Sequence, residues 1–186
     1  MEHREVEVRF LEIDKEQLIA KLRDLGAKDL GEDMLEEVIL YDKPMTWQEK
    51  GGKVLRLRTR QGKTVLTYKH HEKASVGGTE EIEFEVSDPH KAEVLLDRLG
   101  YEVYRHQQKK RHTFELGSVV VDIDTWPKIP TYVELEGVDE ESLKATAMAL
   151  DLDWKDVELR NPRLVLEEKY GIPIATMRWF TFDGFE

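Results

Sequence analysis

The sequence predicts an α+β fold in which an antiparallel sheet carries charges on one face, apolar residues on the other, and helices outside. Three observations predict it. Charged and apolar residues alternate without a break in Glu5-Val6-Glu7-Val8-Arg9-Phe10 and again in most other strand segments, the period-two pattern of half-buried strands. Each early helical segment carries one apolar stripe that needs a surface to cover it. The run EVEVRF with a helix ending RDLGA is echoed by EIEFEV with a helix ending DRLGY, so Glu5 maps to Glu81 and Gly26 to Gly100. Repeated strand–helix–strand units predict pseudo-symmetry.

Composition sets the frame. The chain of 186 residues is expected to form one domain over 1–186, with a core over about 1–150 and a C-terminal helix and aromatic tail over 151–186. It is 40% hydrophobic and 36% charged, with a formal net charge of −11. That charge argues against non-specific binding to nucleic acid or to an anionic membrane. The absence of cysteine rules out disulfides, thiolate metal sites and a thiol nucleophile. No apolar run approaches ~20 residues and the N-terminus lacks a signal-peptide pattern, so a soluble cytoplasmic protein is expected.

After the first strand, Asp14 is the expected N-cap of a helix with Gln17 three residues on; Leu18, Leu22 and Leu25 share a face, and Gly26 follows as a C′ residue. Residues 35–41 read as a second strand. Residues 42–52 read as a loop with Pro44 and Gly51-Gly52, whose Trp47 is expected to anchor that loop rather than serve as a lid or contact a base. Residues 54–60 place Arg56, Arg58 and Arg60 on one face and leucines on the other. Gln61-Gly62-Lys63 turns the chain, and 64–69 returns with Lys69 opposite to Leu66 and Tyr68.

Gly77-Gly78 leads into the strand 81–86, and Ser87-Asp88-Pro89 opens a helix through Val94, Leu95 and Leu99 to Gly100. Three further strands follow. Lys109 and Arg111 share a face in 108–114, Asp122 and Asp124 in 119–124, and Glu134 and Glu136 in 132–136. Residues 140–150 read as a third helix, and Asn161-Pro162 starts a fourth that ends near Gly171. The tail 177–185 is too aromatic to be free in water; it is expected to dock on its own sheet or on a second subunit, the latter making a homodimer. His70-His71 and His106 are expected at strand ends in solvent, and none of the six histidines stands in a metal-ligand spacing.

Closing these strands into a barrel leaves two arrangements. Apolar faces point inward with the charges in water, or outward beneath the helices with the charges lining a tunnel. The helix stripes favour the second, since only it gives them an apolar surface without a second core. The lumen then holds Glu5, Glu7, Glu81, Glu83, Glu85, Asp122, Asp124, Glu134 and Glu136 against Arg9, Arg56, Arg58, Arg60, Lys69, Lys109 and Arg111. Like charges ~4 Å apart repel by about 4 kcal/mol at an effective dielectric near 20, so such acids raise their pKa values or recruit cations. Oxygen-only donors suit Mg²⁺ or Mn²⁺ rather than zinc, and arginine grips two phosphate oxygens at once. Together they point to a metal-bound polyphosphate. The competing reading is a static network of opposite charges, costly unless fully paired.

These residues resemble the CYTH domain of the triphosphate tunnel metalloenzymes, which include class IV adenylyl cyclases, thiamine triphosphatases and inorganic triphosphatases. The opening Glu-x-Glu-x-Lys motif is matched by Glu5-Val6-Glu7-Val8-Arg9, with arginine in place of lysine, a change that keeps the charge and alters its reach. Arg-x-Arg is matched by Arg56-Leu57-Arg58, the following hairpin lysine by Lys69, and the paired basic strand by Lys109-Lys110-Arg111. The late aspartate is matched by Asp124 beside Asp122, and the last Glu-x-Glu by Glu134-Leu135-Glu136.

Over roughly 1–150, the resemblance implies an eight-stranded antiparallel tunnel, a closed barrel with helices outside, acting on triphosphates with a divalent metal. Mg²⁺ or Mn²⁺ is expected among Glu5, Glu7, Asp124, Glu134 and Glu136. The phosphates are expected at Arg9, Arg56, Arg58, Lys69, Lys109 and Arg111, with Arg60 and Glu81 to Glu85 in support. No residue identifies itself as the general base. The expected substrate is ATP, thiamine triphosphate or tripolyphosphate, and the Trp126-Pro127-x-Ile129-Pro130 loop leans toward the cyclase branch. The expected activity is a class IV adenylyl cyclase-like reaction, ATP to cyclic AMP and pyrophosphate, or triphosphate hydrolysis. A non-catalytic nucleotide or polyphosphate sensor is the alternative.

Overall fold

A computed structural model describes residues 3–47, 52–71 and 79–186. Strand β1 (His3–Phe10) leads into helix α1 (Lys15–Asp24), and β2 (Lys28–Asp42) follows. The Asp14 carboxylate accepts the Gln17 amide at 3.0 Å, capping α1 as its sequence predicts. Gly26 ends the helix at φ 74°, a left-handed position that glycine takes without a Cβ penalty. β3 (Lys53–Arg60) and β4 (Lys63–His71) form a hairpin through Gln61 and Gly62, both at positive φ as a two-residue turn requires.

The second unit repeats the first: β5 (Thr79–Val86), α2 (Pro89–Arg98) and β6 (Tyr101–Leu116). Asp88 caps α2 through the Lys91 amide. β7 (Val119–Thr125), β8 (Tyr132–Gly137) and α3 (Glu140–Ala149) complete this part. The C-terminal segment holds β9 (Val157–Glu158), a short helix α4 (Pro162–Leu164) running into a π-helical turn (Val165–Lys169), and β10 (Trp179–Phe180).

The sheet has ten strands in the order β10-β6-β2-β3-β4-β5-β1-β8-β7, with β9 beside β1 and a further pairing of β6 with β7. All pairs are antiparallel except β10 with β6. Two strands beyond the expected eight are the two-residue pieces β9 and β10, too short to show a period. The repeat has a structural counterpart, because β2 and β6, its equivalent strands, pair along their whole lengths from Lys28↔Glu115 to Asp42↔Tyr101. β2 is therefore longer than the predicted 35–41; its polar first half is held by the ladder to β6 rather than by burial.

Two apolar clusters lie under helices, where the alternation of β1 and β3 places them. Val8 and Phe10 of β1, Val121 and Ile123 of β7, and Val133 and Leu135 of β8 pack with Leu18 and Leu22 of α1 and Leu143 and Ala147 of α3; Val6 packs against this cluster. Leu55 and Leu57 of β3 pack with Leu40 and with Leu96 of α2. The predicted helix stripes need two corrections. Leu25 is exposed, and in α2 Val94, Leu95 and Leu99 face water while Leu96 is buried. α2 lies on the sheet by the face one position round from the predicted one. Ile82 and Phe84 of β5 are likewise exposed.

Trp47 anchors its own loop as expected, edge-on to Tyr68 at 5.8 Å and against Tyr101 at 5.2 Å. The rest of that loop, 48–51, and Gly77-Gly78 lie outside the described residues, as do the side chains of Glu5 and His71. His106 is not at a strand end: it sits within β6 and stacks on Trp179 at 4.4 Å. The tail docks on its own sheet. The His106 amide donates to the Arg178 carbonyl, and Phe180 is fully buried with Trp126, Tyr132, Ile174 and Met177.

Candidate functional site

The charged residues that alternate with these apolar ones meet on the other face. Glu37 of β2, a carboxylate 2% exposed, lies at the middle of a basic cluster. It accepts the Arg58 Nε–H at 2.8 Å and a Gln107 Nε2–H, and Arg56 Nη1 stands 3.2 Å away. Burial works to raise the Glu37 pKa; the field of Arg56, Arg58 and Lys109 outweighs it and holds the carboxyl well below its ordinary range. The Arg56 pKa is also pushed down, by burial and by Arg58 beside it. Its Nε–H is buried with no hydrogen-bond partner. A buried guanidinium with an unused donor is costly unless an acceptor arrives.

The acidic centre is built on β7 and β8. Asp124 is fully buried at the end of β7. Its Oδ1 accepts Arg111 Nε–H at 2.7 Å, and its Oδ2 accepts Arg111 Nη2–H and Lys109 Nζ–H, both at 2.6 Å. Arg111 also donates to Asp122 and to Glu134 at 2.6 Å each. Glu134 accepts Arg9 Nε–H at 2.9 Å on its remaining oxygen, and Asp122 accepts the Thr113 hydroxyl at 2.7 Å. Burial opposes charge on Arg9, Arg111 and Glu134, yet mutual attraction prevails, raising the two arginines and holding Glu134 well below its ordinary range. Lys109, buried and beside Arg111, is pushed down.

The two centres share one electrostatic field, since Lys109 feels both Asp124 and Glu37 while Arg56 feels both Arg111 and Glu81. Lys69 joins through Glu81 at 3.1 Å. All six residues expected at the phosphates are thereby linked. Arg60 is more exposed and pairs with Asp33, while Glu83 and Glu85 are exposed, Glu83 accepting from Thr67.

The expected metal ligands are less gathered. Glu7 stands 3.8 Å from Arg9 and directly across the ladder from Glu136, which is exposed; Asp124 and Glu134 lie deeper among the bases. In kind these oxygen donors fit a hard cation. In arrangement they do not: among the described residues no group of three or more His, Asp or Glu side chains is placed to hold a metal ion.

Aromatic residues form one wall. Trp126 donates its Nε1–H to the Tyr132 hydroxyl at 2.8 Å and stacks on Phe180 at 5.5 Å. Lys109 Nζ lies 5.3 Å from the Trp126 ring and the Arg9 guanidinium 5.4 Å from the Tyr132 ring. Trp126 is thus committed to the C-terminal cluster.

Sequence reasoning missed Glu37, Gln107 and Arg105. Arg105 donates to Gln107 at 2.9 Å and to the Ile174 carbonyl at 2.8 Å, tying the tail to Glu37 in three steps. Residues 35–41 read as a strand mostly β-branched and apolar, which hid Glu37. The available signal was its place opposite Arg58 in the hairpin-extended ladder.

Residues 3–155 match the profile of the CYTH domain. Among solved structures, protein PH1012 of Pyrococcus horikoshii OT3 is 29% identical with a TM-score of 0.72, the alignment covering 84% of this chain and 96% of that one. A Pyrococcus furiosus protein is 26% identical with a TM-score of 0.70, covering 85% and 97%. A Hippeastrum adenylyl cyclase candidate with a dominant triphosphatase activity is 16% identical with a TM-score of 0.63, covering 89% and 96%, a likeness of fold alone. No curated protein matches the chain.

Proposed function

The chain belongs to the CYTH family, and from that premise we propose that it is a divalent-metal-dependent enzyme acting on a triphosphate within a charged tunnel. The tunnel is proposed as eight strands of one unit, β1 to β8. The pairing of β6 with both β2 and β7 supports closure. The observation that carries the reading is Arg56, a buried guanidinium whose Nε–H lacks an acceptor, set beside Arg58 and in the field of Arg111. An anion with several oxygens answers that deficit.

Arg9, Arg56, Arg58, Lys69, Lys109 and Arg111 are the proposed phosphate grip. Their positive field lowers the cost of charge building on phosphoryl oxygens during attack at phosphorus. Mg²⁺ or Mn²⁺, with Glu5, Glu7, Asp124, Glu134 and Glu136 as the proposed ligands, would add Lewis-acid neutralisation of the phosphates. Water as nucleophile gives phosphate or diphosphate products; the ribose 3′-hydroxyl of ATP attacking the α-phosphorus gives cyclic AMP and pyrophosphate. A second reading, a sensor that binds the anion without turning it over, draws on the complete pairing of Asp122, Asp124 and Glu134 with bases.

The test is incubation with ATP, thiamine triphosphate and tripolyphosphate in turn, with Mg²⁺ or Mn²⁺, and chromatography of the products. Cyclic AMP marks the cyclase and released phosphate the hydrolase. Tight binding of all three without any product would sink the enzyme and leave the sensor.

A further inference from the structure

We propose that Gln107 and Arg105 are positioning residues for the phosphate grip, braced by the C-terminal strap 172–180, and that they act by fixing the carboxylate on which Arg56 and Arg58 lean. The inference rests on the proposed function for its ligand, and on this structure for its geometry. The strap lies beyond residues 3–155, so a segment outside the family match reaches the site.

The ladders set the frame. Gln107 stands directly opposite Glu37 in the β2–β6 pairing, and Glu37 directly opposite Arg58 in the β2–β3 pairing, so the three form one row across neighbouring strands. Within that row the two Glu37 oxygens have different tasks. Oε1 accepts Arg58 Nε–H at 2.8 Å and has Arg56 Nη1 3.2 Å away, while Oε2 accepts Gln107 Nε2–H at 2.5 Å. The last torsion of a glutamate is broad, so register alone does not hold a carboxylate in this pose. Gln107 holds it.

The Gln107 amide has only one way round. Its carbonyl accepts Arg105 Nε–H at 2.9 Å, and a guanidinium, which has no acceptor, would leave a flipped amide nitrogen facing an N–H. Arg105 is fixed in turn by donating Nη1–H to the Ile174 carbonyl at 2.8 Å. The strap keeps that carbonyl in place: the Tyr104 hydroxyl donates to the Ala175 carbonyl at 2.5 Å, and the His106 amide to the Arg178 carbonyl at 2.9 Å. Glu37, Arg105, Gln107 and Ile174 are all buried, so a broken joint leaves a polar group unpaired rather than hydrated. Arg56 and Arg58 are thereby aimed before an anion arrives, which spares binding the cost of ordering them.

Calorimetry on the full chain in EDTA, with tripolyphosphate as the probe, tests the relay. Gln107→Met removes both joints without adding charge, and its Kd is expected to be roughly tenfold weaker than wild type, a mid-range coupling for contacting residues. In the Arg58→Ala background the same change is expected to cost less than about threefold, because the arginine it aims is gone. A purely structural role would lower Tm in both backgrounds and leave Kd alone. A Gln107→Met Kd within about twofold of wild type, or a loss of about threefold or more in the second background, overturns the inference. Without any ligand, the ¹⁵N resonance of Arg58 Nε, assigned by its loss in Arg58→Lys, is expected to move in Arg105→Lys, which keeps the charge and loses the fork. An unmoved resonance overturns the relay even if Gln107→Met does not fold. Failure of wild type to bind tripolyphosphate sinks the proposed function instead, and the resonance still judges the relay.

Discussion

Replacing Glu37 by glutamine separates two jobs that one carboxylate performs. The amide keeps the shape, but with one acceptor oxygen in place of two it can still accept from Arg58 or from Gln107, at present 2.8 and 2.5 Å away, and not from both. What is lost is one buried negative charge facing Arg56, Arg58 and Lys109. Removing one partner from a buried ion pair costs about 3–5 kcal/mol. For a chain of this size, 1 kcal/mol moves Tm by about 2–4 °C, so Glu37→Gln should melt roughly 6–20 °C below wild type. The vacated charge should also make the site hungrier for anions. Tripolyphosphate in EDTA should therefore raise Tm more in Glu37→Gln than in wild type, partly rescuing it; at one hundred times Kd the gain is about 2.7 kcal/mol. Thermal melts with and without tripolyphosphate read both effects. A variant as stable as wild type, or one that gains no more from the anion, would refute the reasoning.

Arg58→Ala should weaken tripolyphosphate binding by about 1.5–3 kcal/mol per lost charged hydrogen bond, roughly ten- to a hundredfold in Kd by calorimetry; an unchanged Kd removes Arg58 from the grip. Phe180→Ala, at a fully buried position among Trp126, Ile174 and Met177, should cost about 3–5 kcal/mol in urea unfolding, and a loss under about 1 kcal/mol would mean the tail is not part of the folded core. Acid should destabilise the protein through Glu37 and Glu134. Both are depressed in the folded state, so their contribution is present above the unfolded value near 4.5 and is lost as pH falls below it. Urea midpoints should drop in that range and drop less in Glu37→Gln; an equal slope would count against Glu37 as a source.

Much of this was legible in the sequence because period two survives where a strand has one helix-covered face and one charged face. Val6, Val8, Leu55 and Leu57 fall under helices as their alternation demands, and Arg56, Arg58, Lys109 and Arg111 share one field. The pattern failed where both faces of a strand carry apolar residues. In β2, Leu35, Ile39 and Tyr41 are buried on the same side as Glu37, while Leu40 packs toward α2, so no alternation marked the acid. In α2 the stripe was misplaced by one position, because Leu95, Leu96 and Leu99 offer two faces and sequence does not say which meets the sheet. Pairing beyond the β3–β4 hairpin escaped the sequence. That Asp124 and Glu134 would be gripped by Arg111 depends on the β6–β7 and β7–β8 registers, which the alternation of residue types does not give.

Strand β1 pairs with β8, so Arg9 finds Glu134 across 125 residues of chain. At about 5–20 residues per second of synthesis, the nascent β1 waits roughly 6–25 s before β8 exists, with β5 made sooner. During that wait the β8-facing edge of β1 is uncovered. The alternating Glu5, Glu7 and Arg9 then act as gatekeepers, since charges at every second position resist pairing with a stranger. Arg9, buried against Glu134 in the folded protein, thus has an earlier task in the unfinished chain, and substitutions that neutralise this strand would be paid for in yield of folded protein.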